Sequence, residues 1–167
     1  METRHKHDGR CHCGNVRYRY YSSQPAAQLS MRACSCSYCR KTGARYSADP
    51  CGILVAEVGD CDAIHLYRFG TQTADFYVCS KCGIAPFVIW PDGADLYALV
   101  NVNTFDVPLE VSACRNVCYA HEDVAGRCAR RRRQWIGNVT LTLPGHRRVD
   151  DFAVSSAVLR EQPVALG

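Results

Sequence analysis

Residues 79–83, Cys-Ser-Lys-Cys-Gly, contain two cysteines spaced as in a zinc knuckle, and residues 11–14, Cys-His-Cys-Gly, contain a second close pair. Two thiolates this near in sequence can both bind a tetrahedral zinc ion at about 2.3 Å. The glycine after each pair permits a positive φ, which lets backbone N–H groups turn toward the thiolates. We therefore predict a structural zinc site that joins two distant segments of the chain. Its four ligands are Cys11, Cys13, Cys79 and Cys82.

The cysteine content of the chain favours metal binding over disulfides. In a secreted protein, 12 cysteines among 167 residues would suggest a disulfide framework, but a disulfide between such near neighbours would close a strained ring. The chain begins Met-Glu-Thr-Arg-His-Lys-His, without the apolar stretch of a signal peptide. It also contains no apolar run of about 18 residues, the length that spans a membrane. We therefore expect a cytoplasmic protein with reduced cysteines and no membrane partner.

A third cluster, Cys34-Ser35-Cys36-Ser37-Tyr38-Cys39, provides three cysteines within six residues. Three protein ligands leave zinc a position for water or substrate, whereas four ligands close the site. We expect an open, catalytic second zinc bound by this trio, because no fourth ligand is close in sequence. The alternative is a closed site completed by a distant residue. The candidates for that ligand are His12, His65, His121, Cys51 and Cys61.

Three side chains within or beside the third cluster are candidates for substrate binding. Arg40 and Lys41 would either hold a carboxylate of a thiol substrate or only balance the negative charge of three thiolates. Tyr38 could donate a hydrogen bond to a developing oxyanion, or simply pack within the loop.

Alternation of apolar and polar residues predicts a mainly β core. Val16, Tyr18 and Tyr20 alternate with Arg17 and Arg19, as in a half-buried strand. We predict that strand at residues 14–21 and others at 28–33, 51–58, 64–69, 74–78, 84–90 and 96–103. Residues 34–45 are predicted to be a loop with at most one helical turn, and 122–135 a helix. The domain prediction is a disordered tail at 1–8, a zinc-binding β domain at 9–107, and a partly helical extension at 108–167 that packs on the core.

The run Arg130-Arg131-Arg132-Arg133 is the strongest concentration of charge. Such a run could contact nucleic acid, but it is more often the solvated face of a helix. The formal net charge is only +4, which does not favour a nucleic-acid partner.

The order C-x-C-G, C-x-C-x-x-C-R-K and F-Y-x-C-x-x-C-G resembles the glutathione-dependent formaldehyde-activating enzyme family, which includes the centromere protein V domain. The resemblance covers residues 9–107 and implies an Mss4-like fold, or β-tent, stapled by zinc. It implies a structural zinc ion and a catalytic one. The ligands would be Cys11, Cys13, Cys79 and Cys82 for the first, and Cys34, Cys36 and Cys39 for the second. The implied reaction condenses formaldehyde with glutathione to S-hydroxymethylglutathione, a carbon–sulfur lyase activity. Ser35 and Ser37-Tyr38 stand where relatives often have histidine and an acidic residue.

Two hypotheses follow. In the first, the chain is an enzyme with two zinc ions, monomeric or homodimeric, that adds a glutathione-like thiol to an aldehyde or related electrophile, or removes it. In the second, it is a non-catalytic zinc module that binds a protein or nucleic-acid partner. A reachable metal position above a pocket would distinguish the first.

Overall fold

The computed structural model describes residues 4–109 and 114–144. These ranges contain eleven strands and two α-helices. The strands are β1 (His5–Arg10), β2 (Val16–Ser22), β3 (Met31–Cys34), β4 (Tyr46–Ser47), β5 (Ile53–Val58), β6 (Ile64–Tyr67), β7 (Asp75–Cys79), β8 (Phe87–Asp92), β9 (Asp95–Asn101), β10 (Cys114–Val117) and β11 (Asn138–Thr142). The helices are α1 (Ser37–Thr42) and α2 (Val124–Gln134). The predicted fold class, mainly β with a helix in the C-terminal part, is confirmed.

The strands form two sheets. One has four strands in the order β1-β2-β5-β11, and the other has seven in the order β10-β3-β4-β9-β8-β7-β6. Only two pairings among the described strands are parallel, β10 with β3 and β11 with β5. Both β10 and β11 follow residue 107, so the C-terminal segment supplies an edge strand to each sheet. The segment therefore forms part of both sheets, whereas the prediction was only that it packs on the core.

The main core lies between the two sheets. Tyr20 and Leu54 are opposite each other on β2 and β5 of the smaller sheet, and both are fully buried. They belong to one apolar cluster with Phe87 and Val100, which are equally buried and lie on β8 and β9 of the larger sheet. Burial of such side chains is the main favourable contribution to folding.

A second cluster covers the other face of the larger sheet. Successive side chains of a strand point to opposite faces, so Phe87 and Ile89 face the smaller sheet while Val88 and Trp90 join a separate cluster with Trp135. Burial on both faces explains why β8 has a continuous apolar sequence rather than an alternating one. This second cluster forms the floor on which the helices and the trio of cysteines lie.

The N-terminal tail prediction is wrong for residues 5–8, which belong to β1 and pair with β2 along its whole length. The sequence conceals this strand because its inward positions hold His5, His7 and Gly9 instead of large apolar residues. The ring of His7 stacks on that of Phe105, with centroids 5.2 Å apart. Stacking and backbone pairing therefore order a segment that hydrophobicity alone does not mark.

Further differences concern the C-terminal part. Residues 138–142, for which no element was predicted, form β11. The segment Cys114–Val117, also without a predicted element, forms strand β10. The prediction for residues 145–167 lies outside the described residues. No helix in the described ranges is long and apolar enough to cross a lipid bilayer.

Candidate metal centres and the adjoining cavity

The first candidate metal centre joins the turn after β1 to the turn after β7. The Sγ atoms of its four cysteines all lie within 4.8 Å of one another. Cys13 Sγ is 3.6 Å from Cys11 Sγ and 3.4 Å from Cys79 Sγ. Sulfur ligands of a tetrahedral zinc ion are about 3.8 Å apart, so the group fits a metal of that size. The structure thus brings together the four predicted ligands, Cys11, Cys13, Cys79 and Cys82.

Two glycine turns shape this centre. Gly14 has φ +80° and Gly83 has φ +76°, as the sequence predicted. The N–H of Gly14 donates to the carbonyl of Cys11 at 3.0 Å, and that of Gly83 donates to the carbonyl of Cys79 at 2.7 Å. The left-handed conformation is strained for residues with a Cβ atom, so both turns favour glycine for backbone reasons.

Electrostatics within the first centre favour a bound cation. Burial raises the pKa of the Cys11 thiol to about 12. Burial also works against ionisation of Cys82, but N–H groups of Cys13 and Ile84 and the neighbouring thiols lower its pKa to about 6. Four thiolates would therefore not coexist here without a positive charge, which a bound metal ion would supply.

The second candidate centre is the trio at the start of α1. Cys34 ends β3, Cys36 caps the helix and Cys39 is buried within it. The N–H of Cys36 donates to Cys34 Sγ at 3.5 Å, and the N–H of Cys39 donates to Cys36 Sγ at 3.4 Å. The three Sγ atoms lie within 4.8 Å of one another. Helix α1 spans six residues, longer than the single turn predicted, and its start directs N–H groups toward the sulfur atoms.

The thiols of Cys34 and Cys39 have pKa values shifted in opposite directions. Hydrogen bonding from the Cys39 thiol, with smaller contributions from Cys36 and Arg127, lowers the pKa of Cys34 to about 5 against the opposing effect of burial. The pKa of Cys39 is raised far above its usual range by the same hydrogen bond and by burial. One sulfur of the trio is therefore ready to bind a cation as a thiolate near neutral pH.

Within the ranges 4–109 and 114–144, no fourth cysteine, histidine or carboxylate joins the trio. The five candidates for a distant fourth ligand all lie in those ranges and none belongs to the group. They are His12, His65, His121, Cys51 and Cys61.

A cavity of about 350 Å³ adjoins the trio, and all three cysteines line it. This volume is within the usual range for small-molecule sites and far exceeds what a one-carbon aldehyde fills. Its walls are largely aromatic and aliphatic, and four arginines contribute charge. The apolar lining includes Tyr46, Phe69, Phe76, Val88, Leu99 and Trp135, and the arginines are Arg32, Arg127, Arg130 and Arg131.

The predicted substrate-binding residues do not line this cavity. Arg40 and Lys41 are exposed in the last turn of α1. Because each helical residue is rotated about 100° from the one before it, both turn away from the face that carries Cys39. The ring of Tyr38 packs against those of Tyr67, 5.2 Å away, and Phe76, 4.9 Å away. The structure therefore favours the packing alternative for Tyr38.

The cationic residues of the cavity come mainly from α2. Arg130 and Arg131 are only 8% and 5% exposed, so half of the arginine run is not a solvated face. Arg127, Arg131 and Trp135 are spaced i, i+4 and i+8, which places them on one side of a helix. That spacing, with a tryptophan at the third position, is the sequence signal that could have identified Arg127 and Arg131 as residues of an inward-facing side.

Comparisons with known proteins identify a family and related chains. The sequence model described as glutathione-dependent formaldehyde-activating enzyme matches residues 6–121. A Halomonas elongata protein, provisionally named as such an enzyme, is 33% identical over an alignment of 95 residues that covers 51% of this chain and 59% of that protein. The chain thus spans about three fifths of that relative's length. A solved structure of a Rhodobacter sphaeroides protein is 27% identical, with a TM-score of 0.51, and the match covers 66% of this chain and 99% of the other.

Proposed function

Because this chain belongs to the glutathione-dependent formaldehyde-activating enzyme family, as the order of its cysteines predicted, we propose that it is a zinc enzyme of that type. It adds a thiol to an aldehyde or related electrophile, or catalyses the reverse reaction. Glutathione is the proposed thiol, and the reaction class is that of a carbon–sulfur lyase.

One observation carries this proposal. The trio Cys34, Cys36 and Cys39 lines a cavity of about 350 Å³ and has no fourth protein ligand among the described residues. A purely structural site would be expected to have four ligands and no adjoining cavity. The contrast with the four-cysteine centre in the same chain supports different roles for the two clusters.

In this proposal, one group of cysteines stabilises the fold and the other takes part in the reaction. Cys11, Cys13, Cys79 and Cys82 would hold a zinc ion that stabilises the fold, and the trio would hold a second. A zinc ion with three thiolate ligands supplies Lewis acidity and a position at which a thiol loses its proton readily.

The remaining residues of the cavity bind the two reactants and orient them. The aromatic walls, which include Phe69, Phe76 and Trp135, exclude water from the reacting groups and so strengthen electrostatic interactions there. Arg127 stabilises negative charge at Cys34. Holding both reactants in one cavity removes much of the entropic cost of bringing them together.

The alternative is a non-catalytic zinc module that binds a protein or nucleic-acid partner. For a nucleic-acid partner, the arginine run gives little support. Arg130 and Arg131 are buried, and Arg132 pairs with Asp92 at 2.6 Å. Only Arg133 of the run remains exposed without an ion pair among the described residues. The run is therefore not a free basic surface.

Zinc content and adduct formation test the proposal. We expect about two zinc ions per chain. We also expect the protein to form the adduct of glutathione with formaldehyde, which NMR detects. The Cys36→Ser variant should lose one zinc and nearly all activity. The matched control is Cys51→Ser, an exposed cysteine outside both clusters, which should keep both. Full activity in a Cys36→Ser protein that has lost one zinc would reject the trio as the catalytic centre.

A further inference from the structure

Arg131 is a buried cation without a carboxylate partner in the described residues. It is 5% exposed, and its Nη1 donates to Thr73 Oγ1 at 2.7 Å. Its guanidinium lies 4.9 Å from the ring centroid of Trp135 and 5.4 Å from that of Trp90. These contacts stabilise the cation in part, but its buried Nε has no acceptor within the described ranges. A buried charge without an ion partner is costly to keep.

Arg127 is in a similar position one turn earlier on α2. Its Nη2 donates to the carbonyl of Tyr119 at 2.7 Å, while its buried Nε has no acceptor among the described residues. Arg127 and Arg131 are spaced i, i+4, so their side chains are neighbours. Burial lowers the pKa of Arg131 to about 10, and repulsion from Arg127 and Arg130 adds to this effect. Arg131 therefore remains charged at neutral pH. Arg127 and Arg131 both line the cavity.

Other arginines of α2 show the contrast. Arg130 pairs with Glu122 at 2.8 Å and lies 3.5 Å from the ring centroid of Tyr119. Arg132 pairs with Asp92 at 2.6 Å. Residues outside the helix, Glu122 before it and Asp92 on β8, therefore supply carboxylate partners to the arginines on either side of Arg131 but not to Arg131 itself.

The charge of the cavity indicates which ligand would complete this arrangement. Its described lining contains four arginines and no aspartate or glutamate. Besides the two on α2 that lack ion partners, Arg32 enters from β3 and is 6% exposed. Guanidinium groups bind carboxylates through paired, charge-assisted hydrogen bonds. The aromatic walls suit the organic part of such a molecule.

We propose that Arg127 and Arg131 together bind a carboxylate group of the thiol substrate, so that the cavity selects an anionic thiol over a neutral one. This inference rests on the proposed function, because it places the thiol in the cavity beside the trio. Helix α2 begins after residue 121, where the family match ends. The selection would therefore be a property of the C-terminal segment of this chain.

Binding can be measured separately from catalysis. The probe is S-methylglutathione, whose blocked sulfur cannot form a thiolate, titrated into the zinc-loaded full chain by calorimetry. We expect the dimethyl ester of the probe to bind at least tenfold more weakly than the free acid. Arg127→Gln and Arg131→Gln should each weaken binding of the free acid about tenfold or more, since a hydrogen bond between charged groups is lost. Arg133→Gln, an exposed position on the same helix, should leave binding unchanged.

The outcomes separate this inference from the proposed function. Equal affinity for acid and ester in the unaltered protein overturns the carboxylate subsite, and that comparison needs no variant to fold. Wild-type affinity in both arginine variants overturns it as well. Selective binding of the acid by a protein that forms no thiol–aldehyde adduct would support the subsite while rejecting the proposed reaction.

Discussion

The Sγ atoms of Cys13 and Cys79 lie 3.4 Å apart although 66 residues separate them in the chain. Cys13 precedes β2 of the smaller sheet, and Cys79 ends β7 of the larger one. A metal ion bound between them therefore links the two sheets.

Loss of this link should unfold the protein. Structural zinc contributes on the order of 10 kcal/mol of apparent folding free energy, comparable with the whole stability of a domain, about 5–15 kcal/mol. We expect Cys79→Ser to lose one zinc ion and its cooperative urea unfolding transition, measured by circular dichroism. Cys51→Ser should unfold like the wild type. A Cys79→Ser protein with an unchanged transition midpoint would refute the stabilising role.

Substitution of Gly83 tests the backbone requirement at the same centre. Its φ is +76°, and an added Cβ would meet no atom within 4 Å, so the expected cost is conformational. Gly83→Ala should lower the free energy of unfolding by about 1–2 kcal/mol. Gly137→Ala is the matched control, because its Cβ would make only an ordinary contact, 3.5 Å from Tyr97. Equal urea midpoints for both variants would contradict the argument from φ.

The two ion pairs of α2 should differ in energetic importance. The side chains of Arg130 and Glu122 are 9% and 26% exposed, whereas those of Arg132 and Asp92 are 50% and 27% exposed. Glu122→Gln leaves a buried guanidinium without its carboxylate and should cost about 1–3 kcal/mol. Asp92→Asn should cost less than about 1 kcal/mol, as is usual for exposed pairs. Chemical denaturation of both variants provides the comparison, and the reverse ranking would show that burial does not decide it.

Acid should weaken the N-terminal strand through His7. Burial lowers the pKa of His7 below its usual 6.5, with a small further effect from His5, while Asp8 and the carbonyl of Gln24 oppose the shift. Its Nε2 is buried without a hydrogen-bond partner among the described residues, so a proton added there finds no acceptor. The unfolded chain therefore binds the proton more readily, and stability falls as the pH drops below about 6.5 toward the lower pKa of the folded state.

The measurement is the free energy of unfolding at pH 7.5 and pH 5.5. The decrease should be smaller in His7→Gln than in the wild type, by a few tenths to about 1 kcal/mol. His121→Gln removes an exposed histidine and should keep the wild-type decrease. An identical pH dependence in His7→Gln and the wild type would exclude His7 as its source.

The sequence predicted those features that depend on local pattern. The spacing of Cys11 with Cys13 and of Cys79 with Cys82 predicted the four-cysteine group, because close spacing and a following glycine leave few other uses for the thiols. Alternation predicted strands such as β2, whose buried residues are apolar.

What the sequence did not predict depends on distant neighbours. β1 has histidine and glycine at its inward positions, so its order comes from pairing with β2. The arginines of α2 were expected to be solvated, but Arg131 lies against Trp90 of β8 and Trp135 and is buried. Arg40 and Lys41, adjacent to the trio in sequence, lie outside the cavity because the direction of a helical side chain changes at every residue.

Helix α2 is anchored on both sides. β10 before it pairs with β3 of the larger sheet, and β11 after it pairs with β5 of the smaller sheet. Directly after the helix, Ile136 is fully buried and exchanges backbone hydrogen bonds with Ala98 at 2.9 and 3.0 Å. One wall of the cavity is thus a helix held between two edge strands, while the candidate metal ligands lie earlier in the chain. A change of residues in that one helix would therefore alter which molecules fit the cavity without replacing any of the seven clustered thiols.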